Sequence, residues 1–118
     1  MPLDDAEKEE LRGLLEALAR ELDEGLESSA DAARPVELDQ PAIGRVSRID
    51  AIQQQKMVEA NRAAQQARRQ AVRAALARID EDEFGECRAC GEDIGLARLR
   101  ARPESHTCID CQTARERS

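Results

Sequence analysis

The chain has 118 residues and a net charge of −7, with charged residues making up 36% of it. Phe84 is its only aromatic side chain, and it has no Trp or Tyr. This composition excludes an aromatic-rich globular core and favours long helices.

The N-terminus, MPLDDAEKEE, is acidic where a secretory signal would be basic and then apolar. No apolar run approaches the roughly 18–20 residues needed to cross a bilayer. The expectation is a cytoplasmic protein with no membrane association. Thiols stay reduced there, and paired cysteines favour metal over disulfides.

Residues 3–33 read as a first helix. Asp4 and Glu7 fit an acidic capping box. Leu11, Leu15, Leu18 and Leu22 recur at spacings of 4, 3 and 4, a coiled-coil seam that Leu14 and Leu26 widen. Gly13 and Gly25 weaken this helix by about 1 kcal/mol each relative to Ala. The pattern ends in 28-SSADAARP-35, with Pro35 as a stop.

Residues 34–46 form a connector with two prolines and a glycine. A second helix is expected from Ser47 to Asp82, opened by a capping box of Ser47 and Asp50. Its inward stripe reads as Ile49, Ile52 or Gln53, Met57, Ala60, Ala64, Ala67 and Ala71, drifting to Val72, Leu76 and Ile79. The small alanines would let a partner helix approach closely. Residues 1–33 hold 11 acids and 3 bases, whereas residues 51–79 hold 6 bases and 1 acid. Complementary charge and complementary stripes point to an antiparallel hairpin in cis. The charges then serve as solvated faces and inter-helix pairs. A basic helix free to bind nucleic acid is the alternative, weakened because the acidic helix would screen it.

The run 80-DEDE-83 reads as a solvated helix end, although acids there oppose the helix dipole. Gly85 should break the long helix just before the cysteines. All four cysteines follow: Cys87 and Cys90, a 17-residue gap, then Cys108 and Cys111. Two C-x2-C knuckles at this separation are a strong zinc signal, with Gly91 giving the first knuckle backbone freedom. Four thiolates fill a tetrahedral shell, so one structural Zn2+ is expected rather than a catalytic ion with an open position. Thr107 and Asp110 fit a capping box for a short helix starting at Cys108.

Arg88, Arg98, Arg100 and Arg102 are placed to offset the negative zinc-thiolate unit and brace the finger, or to face a partner. His106 reads as an exposed loop residue. No nucleophile-base arrangement and no Gly-rich phosphate loop is visible, so an enzyme is not expected.

The segment Phe84-Gly85-x-Cys87-x-x-Cys90-Gly91-x-x-Ile94-x-x-x-Arg98-Leu99-x-Ala101-x-Pro103, continuing to Cys108-Ile109-Asp110-Cys111-Gln112, resembles the DksA/TraR family of bacterial four-cysteine zinc-finger proteins. The match covers about 30 positions, and the helical hairpin ahead of it agrees with the family's architecture. The resemblance implies a transcription regulator that binds RNA polymerase through its secondary channel without binding DNA, often together with ppGpp. It also implies a coiled coil whose acidic tip acts near the polymerase active site, with the finger at its base. Members named DksA carry a tip motif Asp-x-x-Asp-x-Ala. Here Asp39 is followed by Ala42 and Gly44 at the later places. The tip candidates are therefore Asp39 and Asp50, each of which also reads as a helix cap.

The expected fold is mainly α. A coiled-coil hairpin fills 1–82 with its tip at about 34–48, and a four-cysteine finger with a C-terminal helix fills 83–118. The alternative function is a zinc-stapled protein-interaction module without DksA-like activity, or a nucleic-acid binder through the second helix.

Overall fold

The computed structural model describes residues 3–30 and 45–117, leaving aside the side chains of 45–48. Four helices follow one another: α1 Asp5–Ser28, α2 Arg45–Arg78, α3 Leu96–Ala101 and α4 Ile109–Glu116. The described residues contain no sheet, only an isolated antiparallel bridge between Glu86 and Asp93. No described helix is long and apolar enough to cross a membrane.

α1 opens on the expected box. The Asp4 carboxylate accepts from the Glu7 amide at 2.7 Å, and the Glu7 carboxylate accepts from the Asp4 amide at 3.0 Å. Two of the donors that every helix start leaves free are thereby satisfied. The helix stops at Ser28, short of the expected residue 33, where the chain turns at Ser29 and Ala30.

α1 and α2 pack as an antiparallel pair. Arg12 pairs with Asp80, Asp23 with Arg69 and Arg73, and Arg62 donates to the Leu26 carbonyl. Partner numbers fall on one helix as they rise on the other. The leucine seam holds: Leu11, Leu15, Leu22 and Leu26 are buried, Leu18 is half-buried, and Leu14 stays 39% exposed.

The inward stripe of α2 matches the expected one at its end, where Val72 and Ile79 are buried and Leu76 packs against the core, and departs from it before that. Ile49, Ile52 and Met57 are exposed, as are Ala60, Ala64 and Ala67. The face toward α1 runs instead through Ala51, Gln55, Val58, Arg62, Gln65, Arg69, Val72, Leu76 and Ile79. These positions alternate at 4 and 3, a heptad seam. Several of them are polar, so ranking by apolarity selects the wrong face. Arg62 explains how a cation sits there. Its stem lies along the seam while its head caps the end of α1 at Leu26 and Ser29.

The capping box at Ser47 and Asp50 does not form a helix start, because α2 already includes Arg45. At its other end α2 stops at Arg78, earlier than Asp82, and a series of turns carries the chain to the cysteines. Gly85, at φ 98, therefore shapes one of these turns rather than ending the helix. Its missing Cβ leaves room for Leu3, whose Cδ1 would stand 3.1 Å away. The acids of 80–83 lie past the helix. Asp80 has a structural use there as the partner of Arg12.

The core gathers at the base of the hairpin. Leu11, Leu15, Leu22, Val72, Ala75 and Ile79 from the helices form one cluster with Phe84, Cys87, Ile94 and Leu99. The finger thus shares its apolar contacts with the helix pair. α3 docks on α1, where Arg100 donates to Glu10 at 2.7 and 3.1 Å.

Candidate metal centre

Two local structures deliver the cysteines. In the first, Gly91 donates to the Cys87 carbonyl at 2.8 Å and Cys87 donates to the Glu92 carbonyl at 2.7 Å, closing a tight knuckle. Gly91 has φ 80, a conformation that side chains resist. In the second, Cys108 is the N-cap of α4 and Cys111 lies in its first turn. Residues three apart share a helix face. The Arg88 amide donates to the His106 carbonyl at 2.8 Å, tying one knuckle to the other.

Thr107 does not cap α4 as expected; the cap makes no side-chain hydrogen bond. The Thr107 hydroxyl donates instead to Gln112 at 3.2 Å.

The four sulfurs lie within 4.8 Å of one another, and Cys90 and Cys108 are 3.8 Å apart. A tetrahedral ion with bonds of about 2.3 Å to sulfur places its ligands about 3.8 Å apart. The cluster therefore fits one zinc-sized ion. No disulfide links the cysteines. Burial raises the Cys87 thiol, but the backbone of Cys108, Cys90 and Ala89 outweighs it and brings it down to about 6. The side chains of Cys108, Cys87 and Cys90 push Cys111 up to about 12. Without a cation these crowded sulfurs cannot all ionise at neutral pH. The donor set is soft, closed and matched to Zn2+, which would leave no position for water.

Three of the four arginines singled out in the sequence go to separate partners. Arg98 donates to the Thr107 carbonyl at 3.1 Å, Arg100 to Glu10 on α1, and Arg102 to Glu104 at 3.4 Å. His106 is half-buried rather than exposed, and it is not part of the sulfur cluster. Burial lowers its pKa, as do the charges of Arg78, Arg115 and Arg88.

Glu104 was not anticipated. It is buried and accepts from Arg68 of α2 at 3.1 Å, so it fastens the finger to the hairpin. Long-range ion pairs of this kind have no local sequence signal. Asp50 is exposed in the first turns of α2, and Asp39 lies outside the described residues.

Residues 82–117 match the prokaryotic dksA/traR C4-type zinc finger. Over 45 residues the chain is 51% identical to the RNA polymerase-binding transcription factor DksA of Haemophilus influenzae, covering 38% of this chain and 31% of that protein. Over 41 residues it is 46% identical to the protein of the same name from Escherichia coli K12, covering 35% of this chain and 27% of that one. The matched stretch thus spans less than a third of these relatives. The structure of transcription factor DksA2 from Pseudomonas aeruginosa has the same fold, with a TM-score of 0.73 over 97% of this chain and 86% of that one at 24% identity. Residues 82–117 thus carry a finger of the dksA/traR C4 type, and the chain as a whole shares the fold of a DksA structure.

Proposed function

We propose that the protein is a DksA-like transcription regulator that binds RNA polymerase through the secondary channel. On this reading residues 1–82 are the part that reaches into the enzyme. Residues 83–118 are the base, fixed by one structural zinc on Cys87, Cys90, Cys108 and Cys111. The protein works in the cytoplasm, catalyses no reaction and does not contact DNA directly. The observation that carries this reading is a closed four-sulfur cluster at the foot of a helical hairpin with the DksA fold.

The charge pattern of α2 disfavours the nucleic-acid alternative. Arg62, Arg68, Arg69 and Arg73 are engaged within the chain, by α1 and by Glu104. A helix that spends its cations internally has few left for phosphates.

The tip is where activity would reside, and Asp39 and Asp50 are its candidates. The test is transcription by purified polymerase with the wild type and with Asp39→Asn/Asp50→Asn. The expected result is retained polymerase binding with loss of the effect on initiation. An unchanged effect in the double variant would remove the two aspartates from the mechanism. Adding ppGpp to the same reaction tests whether it acts as a co-regulator.

A further inference from the structure

We propose that a pocket between the start of α1 and the finger docks a basic peptide segment of a partner protein, with one apolar side chain of that segment seated in it. The pocket is separate from the sulfur cluster, since no cysteine lines it. The proposal does not rest on the polymerase reading.

The pocket has a volume of ≈ 320 Å³. That lies at the lower end of the range of about 300–1,000 Å³ typical of ligand clefts. Its apolar wall comes from Leu3 ahead of α1, Phe84 in the turns after α2, and Leu96 and Leu99 of α3. Phe84 and Leu99 belong to the buried core, and Leu3 and Leu96 pack against it. The wall is therefore fixed before any partner arrives. Gly85 lines the pocket too, and its missing Cβ is what lets Leu3 close in on that side.

Every charged residue that lines this pocket is an acid: Glu7, Asp82, Glu86 and Asp93. They come from three stretches of chain, which are α1, the turns after α2 and the segment ahead of α3. Acids set around an apolar wall in this way match a segment whose cations flank an apolar side chain better than they match a lone ion. Two cations at this end of the hairpin are taken by other acids: Arg12 by Glu9 and Asp80, and Arg100 by Glu10. Asp82 and Glu86 are exposed, and among the described residues their side chains enter no ion pair or hydrogen bond.

The run 80-DEDEFGE-86 holds five acids and no base. Acids just past a helix C-terminus oppose its dipole, and among the described residues only Asp80 of these five forms an ion pair. The others gain nothing from the helix and repel one another. A basic partner removes that repulsion, and a cleft lined by one sign of charge focuses the field that draws it in. Exposed ion pairs contribute little each. Burial of one apolar side chain in the pocket therefore supplies most of the affinity.

The test uses the zinc-loaded full chain, isotopically labelled for NMR. The probe is the end-blocked peptide Lys-Lys-Leu-Lys-Lys. It is compared at matched ionic strength with the same peptide carrying serine in place of leucine, and with spermidine. The expected result is saturable shifts at the amides of Gly85, Glu86, Asp93, Gly95 and Leu96 with the leucine peptide. The serine peptide should bind at least about tenfold more weakly, the scale of burying one leucine side chain. Asp82 and Glu86 are exposed, so the double variant Asp82→Asn/Glu86→Gln should keep its zinc and helicity. It should weaken the leucine peptide roughly fivefold, the scale of two exposed ion pairs. Absence of saturable shifts would overturn the proposal. So would serine peptide or spermidine binding as tightly as the leucine peptide, which would show a rim that collects cations without an apolar anchor. Unchanged binding in the double variant would overturn it as well.

Discussion

Glu10 and Arg100 show how single residues join the finger to the hairpin. Arg100 holds the Glu10 carboxyl below its ordinary 4.5, chiefly through their hydrogen bonds. A carboxylate depressed in the fold adds stability above its unfolded value and loses it as pH falls through the folded one. Docking of α3 on α1 should therefore loosen as pH falls below about 4.5. An NMR titration checks this: Glu10 should titrate low in the wild type and return to the ordinary range in Arg100→Gln. No difference between the two proteins would show that the pair does not form in solution. The sequence singled out Arg100 because it lay near the cysteines. Its partner, 90 positions away, left no local trace. Glu104 was invisible for the same reason, since an acid in a loop reads as solvated until a distant arginine is placed against it.

At the scale of the helices, the two members of the hairpin were unequally legible. α1 carries leucines at heptad spacing, and the acidic box at Asp4 and Glu7 marks its start, so both its face and its beginning were readable. α2 presents Gln55, Arg62, Gln65 and Arg69 toward α1 and leaves Ile49 and Met57 outside. Apolarity and burial part company there, because the acidic partner helix rewards long cationic stems in the seam. A paired substitution tests this. Leu15→Ala, at a fully buried position, should cost about 2–5 kcal/mol in denaturant unfolding. Met57→Ala, at a side chain 65% exposed, should stay within about 0.5 kcal/mol. A large loss for Met57→Ala would mean that the outward face of α2 is covered in solution. The ends of α2 were misread because Ser47 and Gly85 are good local signals in the wrong places. One falls inside the helix, and the other lies beyond a run of turns.

For the molecule as a whole, the sulfur cluster is what makes the base one piece. Cys87 belongs to the same apolar cluster as Leu11, Leu15 and Val72, and Cys108 and Cys111 pack against it. Losing a ligand should therefore disturb more than the finger. Cys111→Ser is expected to fall from one zinc per chain to a small fraction by native mass spectrometry, and to lose part of its cooperative thermal transition. Full zinc content in that variant would show that four sulfurs are not required. The cysteine cluster was the most legible feature of the chain, because two C-x2-C knuckles name four sulfurs that the fold brings within 4.8 Å of one another. The fold around it was legible in outline for a related reason: charge complementarity between two long helices leaves one simple arrangement.

The account stands on the claim that this protein binds RNA polymerase, and that claim has a direct measurement. The zinc-loaded chain is immobilised and purified bacterial core polymerase is passed over it, with Cys111→Ser as a control for the integrity of the base. The account predicts saturable binding by the wild type that the Cys111→Ser variant loses or greatly weakens. A zinc-loaded, folded wild type that shows no binding to polymerase would contradict it.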